Sequence, residues 1–325
     1  MANSEFSLIR QYFSRQQVQR RDVALAIGDD CALVQAPVNS QIAISTDSLV
    51  AGTHFLADAD PKKVAYKALA SNISDLAAMG ATPSWVSLAL TMPKPNEAWL
   101  AQFCDGFFEL ADRHQIQLIG GDTTKGPLSI TLTIQGTVPQ GKALLRSGAK
   151  VGDWLFVTGN LGDSAAGLEV ILSERCSESA LEKTLENRHY FSEPRVLVGQ
   201  ALRGVASSAL DISDGLIADL GHILESSNVS AAIDVNKLPL SAELLDFCHD
   251  KETAQQMALS SGEEYELCFT VSEENKQHIE DALAHTDTKV TCIGQIQAGK
   301  GITLCDGDTE LDWHLSGFDH FRSGS

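Results

Sequence analysis

A chain of 325 residues, 43% hydrophobic and 21% charged, has enough apolar material for two domains and the balance of a soluble globular protein. Its formal net charge of −19, with no Lys/Arg run, argues against the basic face of a nucleic-acid binder. No apolar run approaches a membrane span. The start, Met1-Ala2-Asn3-Ser4-Glu5-Phe6, lacks the regions of a signal peptide, and seven scattered cysteines form no Cys-x-x-Cys pair. Reduced thiols in a cytoplasmic protein are expected.

Residues 1–22 read as a helix, with Phe6, Ile9 and Phe13 on one face, and a polar linker. Residues 23–27 form a strand entering Gly28-Asp29-Asp30, and 41–46 form the next, ending in Ser45-Thr46-Asp47-Ser48. Gly52-Thr53-His54-Phe55 is a loop. Asp60-Pro61 opens a helix that runs to Met79 and stops at Gly80, with an N-cap acid and first-turn proline. A strand over 85–90 and an amphipathic helix over 95–114 follow. Leu118-Ile119 then reads as a buried strand stopping at Gly120-Gly121, with Asp122, Thr123 and Thr124 on the turn beyond. A hydrophobic strand over 128–138 ends the first half.

Arg146–Asp153 reads as a hinge, giving domains 1–148 and 149–325. A strand over 154–157 feeds Thr158-Gly159-Asn160-Leu161-Gly162-Asp163-Ser164, where a helix begins. Residues 174–190 are charged and helical in pattern. Ala209-Leu210 leads into Asp211-Ile212-Ser213-Asp214-Gly215, opening a helix over 214–226. Gly262-Glu263-Glu264-Tyr265-Glu266 precedes a strand over 267–271 and a helix over 273–284. The tail alternates short strands and turns down to Ser316-Gly317-Phe318. Strands alternating with helices in both halves predict an α/β (α+β) protein.

One grammar repeats: an apolar run ending in Asp among small residues. A carboxylate beside hydroxyls is an oxygen-rich site suited to Mg²⁺, and glycine lets the backbone approach a ligand closely. Asp75 adds a helical acid, with Ser71 and Asn72 at neighbour spacing. Taken singly, each Asp turn is ordinary turn or cap chemistry. Taken together, five segments of unpaired acid would repel unless metals or protons intervened. An acidic chain that handles phosphates must interpose cations.

Other chemistries fit less well. Gly136-x4-Gly141-Lys142 and Gly294-x4-Gly299-Lys300 continue with Ala143 and Gly301, lacking the Ser/Thr of a phosphate loop, and read as hairpin turns. Counting from Asp211, an EF-hand fails at Gly215 and His222. There is no Gly-x-Ser-x-Gly elbow, Cys31 beside Asp30 is a poor thiolate, and the nine histidines show no zinc spacing.

In chain order these segments resemble the thiamine-monophosphate kinases. The pattern comprises Glu5-Phe6 with Leu8-Ile9, Gly28-Asp29-Asp30, Ser45-Thr46-Asp47, and Gly52-x-His54-Phe55. It continues through Asn72, Ser74-Asp75, Ala78-Met79-Gly80, Gly120-Gly121-Asp122-Thr123 and Arg146-Ser147-Gly148-Ala149. Gly159-x-x-Gly162-Asp163-Ser164, Asp211-x-Ser213-Asp214-Gly215 and Gly262-Glu263-x-Tyr265-Glu266-Leu267 complete it. Cys31 departs from the alanine common there but leaves the acids in place.

The resemblance implies ATP-dependent phosphorylation of thiamine monophosphate to the diphosphate, by direct in-line transfer with several Mg²⁺ ions. It also implies the two-domain aminoimidazole-ribonucleotide-synthetase-like fold, in which the N-terminal mixed sheet forms a barrel across a homodimer and a C-terminal α/β domain closes the cleft. By position, Asp30, Ser45, Thr46, Asp47, Asp75, Asp122, Asp211 and Asp214 correspond to metal ligands, Asp29 standing behind them. Gly121, Asp122, Arg146 and Ser213 correspond to ATP contacts, with Asp122 and Arg146 catalytic. His54, Glu263 and Phe318 correspond to substrate contacts.

The chemistry agrees. A phosphate monoester acceptor is already ionised near neutrality, so positioning and charge cancellation matter more than a base. Two unit charges about 4 Å apart repel by roughly 4 kcal/mol at an effective dielectric near 20. A thiazolium cation suits Phe318 and Glu263. Two other readings remain: another ATP-using enzyme of the superfamily, and a non-catalytic acidic metal binder.

Overall fold

The computed structural model describes residues 5–173 and 179–318. Two compact units result: residues 1–76 with 81–141, and residues 77–80 with 142–325.

The first unit contains α1 (Glu5–Tyr12), β1 (Val23–Leu25), β2 (Leu33–Val34), β3 (Ser40–Val50), α2 (Pro61–Ala78), β4 (Thr82–Met92), α3 (Glu97–Arg113), β5 (Gln117–Lys125) and β6 (Ser129–Pro139). Its four-stranded sheet runs β3-β6-β4-β5, with β4 and β5 parallel and the other pairs antiparallel. The apolar residues of α2 are almost entirely buried, from Val64 and Ala65 to Leu76 and Ala77. Asp60 starts it as expected, its carboxylate accepting from the Lys62 N–H at 2.8 Å. Asn96 caps α3 through the Trp99 N–H. Gly106 lets α3 approach α2, because a Cβ there would strike the Lys62 carbonyl.

The second unit contains β7 (Trp154–Thr158), α4 (Asp163–Leu172), α5 (Ala180–Tyr190), α6 (Val196–Ala201), β8 (Ser208–Asp211), α7 (Leu216–Ser227), β9 (Ser230–Asp234), α8 (Ala242–Cys248), α9 (Lys251–Ser260) and β10 (Leu267–Val271). After these come α10 (Glu273–Lys276), α11 (Ile279–Leu283), β11 (Val290–Gln297), β12 (Gly301–Asp306) and β13 (Thr309–Glu310). The seven strands run β13-β12-β9-β11-β7-β10-β8, with only β12 and β9 parallel. Leu155, Val157 and Leu210 of the sheet pack with Leu216, Leu220 and Ile223 of α7 in its core. A smaller cluster joins Ala166, Leu185, Leu244 and Ala254 across α4, α5, α8 and α9.

Several sequence expectations change here. Ser45-Thr46-Asp47-Ser48 is no turn: β3 carries them within an unbroken ladder to β6. Nor does β5 stop at its glycines. Gly121, at φ +150°, lies so close to the Leu88 carbonyl that a Cβ would overlap it, and pairing with β4 continues to Lys125. Residues 273–284 form two short helices. Neither suspected phosphate loop is a hairpin: Gly136 lies inside β6, and β9 separates β11 from β12. Residues 174–178 of the charged stretch lie outside the described residues, while 180–190 is α5, opened by a Ser179–Glu182 capping box.

Candidate functional site

In the first unit, β3 alternates. Ser45, Asp47 and Leu49 are at least partly buried, whereas Ile42, Ile44, Thr46, Ser48 and Val50 are exposed. Period-2 geometry therefore puts Ser45 and Asp47 on one face and Thr46 on the other, where its hydroxyl meets Thr133 at 2.9 Å. On the buried face, α2 brings Ser71 and Asp75, one helical turn apart, to this pair. The Ser45 hydroxyl donates to Asp75 Oδ2. Asp47 feels the Asp75 charge. Burial first, then that like charge, pushes its carboxyl up to about 6. Asn72, three residues before Asp75, is fully buried, and its Oδ1 has no hydrogen-bond partner.

Asp122 does not join this group within the sheet. Asp47 pairs with Leu132, Leu132 with Leu88, and Leu88 with Gly121. Asp47 and Gly121 thus occupy opposite edges, three strand spacings or about 14 Å apart. Asp122, the next residue, is exposed on β5. Asp29 and Asp30 are exposed on the connection between β1 and β2, where the Asp30 N–H bonds Asp29 Oδ1 at 2.9 Å. His54 is half-buried in a turn after β3, its Nδ1 accepting from the Val50 N–H at 3.0 Å. Among the described residues no three His, Cys, Asp or Glu side chains form a ready-made metal cluster.

In the second unit the expected residues gather around one turn. Asp211, buried, ends β8, and Ser213-Asp214-Gly215 turns into α7. The Glu263 N–H donates to the Ser213 carbonyl at 2.7 Å, and the Phe318 N–H to the Asp214 carbonyl at 2.9 Å. Gly317 lies close against the same Asp214 carbonyl. Asp211, Ser213, Asp214, Glu263 and Phe318 are therefore brought together, with the Phe318 ring exposed. Arg146 is exposed elsewhere in this unit, its carbonyl accepting from the Ser227 hydroxyl at 3.5 Å.

Sequence reasoning missed what holds this turn. Asp219, buried on the first turn of α7, accepts the N–H groups of Ser213, Asp214 and Gly215 at 2.9, 2.9 and 3.1 Å through one oxygen. Burial still pushes its carboxyl up to about 6. Glu264 accepts the Gly162 N–H at 2.9 Å at the start of α4, and burial raises its carboxyl well above the ordinary range. Beside it, Arg195 grips Glu266 through Nε and Nη2 at 2.7 and 2.5 Å. Glu263 and Tyr265 both hold left-handed backbone, at φ +62° and +55°. Spacing alone distinguishes none of these from surface charge. The one cue to Glu264 was its place inside the Gly-Glu-Glu-Tyr-Glu run.

The donor set of the first unit, two carboxylates that feel each other's charge and a hydroxyl, has the oxygen chemistry of a hard divalent cation.

Comparison with known proteins follows the same division. Residues 28–138 match the family AIR synthase related protein, N-terminal domain, and residues 150–306 match AIR synthase related protein, C-terminal domain. The chain is 54% identical to the thiamine-monophosphate kinase of Escherichia coli (strain K12), over 99% of this chain and 100% of that one. It superimposes on the crystal structure of thiamine-monophosphate kinase from Stenotrophomonas maltophilia K279a with a TM-score of 0.86 and 42% identity, covering 94% of this chain and 97% of that one. AaThiL, solved in complex with AMPPCP and TMP, gives a TM-score of 0.78 and 32% identity over 98% of this chain and 97% of that one.

Proposed function

The chain belongs to the thiamine-monophosphate kinase family, and from that membership we propose that it transfers the terminal phosphoryl group of ATP to thiamine monophosphate, yielding thiamine diphosphate. Full-length identity of 54% to a kinase of that name carries the reading. The complex of AaThiL with AMPPCP and TMP supports the same pair of ligands for this chain.

Transfer is direct and in line, between two anionic phosphates whose repulsion must be cancelled. Mg²⁺, when bound, would supply that cancellation and polarise the transferred group. Asp47, Asp75 and Ser45, with Asp30, Thr46 and Asp122, are assigned to holding Mg²⁺ in the first unit, and Asp211 and Asp214 in the second. Thr46 keeps its place in this set by the resemblance alone, since its hydroxyl lies on the opposite face against Thr133. Gly121, exposed on β5 and close against the Leu88 carbonyl, is assigned with Asp122, Arg146 and Ser213 to the nucleotide. Arg146 adds positive charge that Asp122-held metal does not supply. His54, Glu263 and Phe318 take the acceptor, the carboxylate and aromatic ring suiting the thiazolium cation.

The working form is a homodimer in the cytoplasm. Ile42 and Ile44, 45% and 65% exposed on edge strand β3, form an apolar strip that a second copy would cover. A monomeric mass in solution would refute this part. For the reaction, ADP release is measured with thiamine monophosphate, free thiamine and aminoimidazole-type acceptors. Turnover only with thiamine monophosphate and ATP-Mg²⁺ is expected; ADP release with another acceptor alone would favour a different superfamily activity.

A further inference from the structure

His189, the penultimate residue of α5, is only 2% exposed. Its Nδ1 lies 3.1 Å from the carbonyl oxygen of Ser164 and 3.1 Å from the Ser164 hydroxyl. A carbonyl oxygen only accepts, so Nδ1 carries a proton. Across the ring, Nε2 faces Glu263 Oε2 at 3.8 Å. Both ring nitrogens therefore face oxygen atoms, Nδ1 within hydrogen-bond distance and Nε2 in longer contact with the Glu263 carboxylate.

The ring is held from other sides as well. Tyr190 meets it edge-on, centroids 5.1 Å apart. Gly167 of α4 has no side chain because a Cβ there would press on the Leu185 carbonyl and on His189 Cβ. Glu263 itself stands on left-handed backbone, costly for a residue with a Cβ, and is tied to Ser213 through its N–H. Its side chain keeps 29% exposure, so part of the carboxylate faces outward. A buried imidazole behind it and a fixed backbone beneath it set the direction of this carboxylate.

We propose that His189 is a positioning residue, anchored on Ser164, that aims the Glu263 carboxylate at the cationic ring of the acceptor. The inference rests on the kinase reading above. It assigns His189 to acceptor capture alone, with no part in phosphoryl transfer or nucleotide binding. Asp163, Arg188 and Glu243 lie nearby but are engaged with one another: Arg188 reaches Asp163 at 2.8 Å and Glu243 at 3.2 Å.

Two variants separate positioning from packing. Asn at this position keeps a donor near the place of Nδ1 but loses the Nε2 side, whereas Gln reaches the Nε2 position. His189→Asn is expected to raise KM for thiamine monophosphate about tenfold while kcat and the KM for ATP change less than about twofold. His189→Gln should recover most of that loss. Glu263→Gln in the wild-type and His189→Asn backgrounds should give non-additive changes in acceptor KM. Unchanged acceptor KM in His189→Asn overturns the proposal. So do equal effects of Asn and Gln on both substrates alongside equal falls in Tm, or strict additivity with Glu263→Gln. A wild-type enzyme that binds ATP-Mg²⁺ but leaves thiamine monophosphate unphosphorylated would instead overturn the kinase reading, and this inference with it.

Discussion

Two acidic regions of the chain are built in opposite ways. In the first unit, side chains from β3 and α2 come together: Ser45 donates to Asp75, and Asp47 feels the Asp75 charge in a partly buried setting. In the second, the acid turn Asp211–Asp214 is tied internally, with three N–H groups on Asp219 and carbonyls taken by Glu263 and Phe318. The first region stores repulsion that a divalent ion would release. The second gathers its backbone N–H groups on one carboxylate, although burial raises that carboxyl to about 6 as well. Acid content alone says nothing about which kind of site a segment forms; the number of donors facing each carboxylate does.

The sharpest break of this contrast is Asp75→Asn. It removes a charge where charge cancellation is the chemistry, so kcat/KM should fall by about 10²–10³ while the chain stays folded. Near wild-type turnover would remove the first region from the reaction.

Asp47→Asn and Asp219→Ala come next, and they should change stability with opposite signs. The folded-state value of Asp47, about 6, lies above the ordinary carboxylate value of 3.8. The native chain therefore binds more protons than the unfolded one between those values, and unfolding becomes easier as pH rises through 6. Without metal at pH 8, Asp47→Asn should stabilise the protein by up to about 2–3 kcal/mol, because a tenfold change in proton affinity corresponds to about 1.4 kcal/mol. That gain should shrink as pH falls through 6 and vanish near 4. Urea unfolding at pH 8 and pH 4 measures it. The same variant should lose the rise in Tm that ATP-Mg²⁺ gives the wild type, about 2.7 kcal/mol at a hundredfold excess over Kd. A destabilised Asp47→Asn at pH 8 would show that the pair is not strained.

The smallest effect is expected at Asp219. Its alanine variant leaves those three N–H groups without their acceptor, costing about 1–3 kcal/mol in urea. Nucleotide KM should rise severalfold through the loosened turn, with kcat little changed. If Asp219→Ala stabilised the chain as Asp47→Asn does, the two regions would not differ in kind.

Much of this is legible in the order of residues alone. The apolar runs ending in Asp, the capped helix at Asp60-Pro61 and the alternation of strands and helices follow from local chemistry, because caps, turns and periodicity act over a few residues. The grouping of Ser213, Asp214 and Glu263 is foreshadowed only by resemblance, since 49 positions separate Asp214 from Glu263. Two readings fail for one reason. Ser45–Ser48 and Gly121–Thr124 look like turns because small polar residues favour them, yet ladders to β6 and β4 override that preference.

By itself, then, the amino-acid sequence determined the kinds of element, the acidic character and the family, all of which depend on neighbours along the chain. Which carboxylates would crowd and which would be cradled was decided only by folding. Asp47 meets Asp75 because β3 faces α2, and Asp219 reaches back to three N–H groups because the first turn of α7 curls over the loop before it. Electrostatic cost depends on distance in space and on burial, and neither quantity exists until the chain has packed.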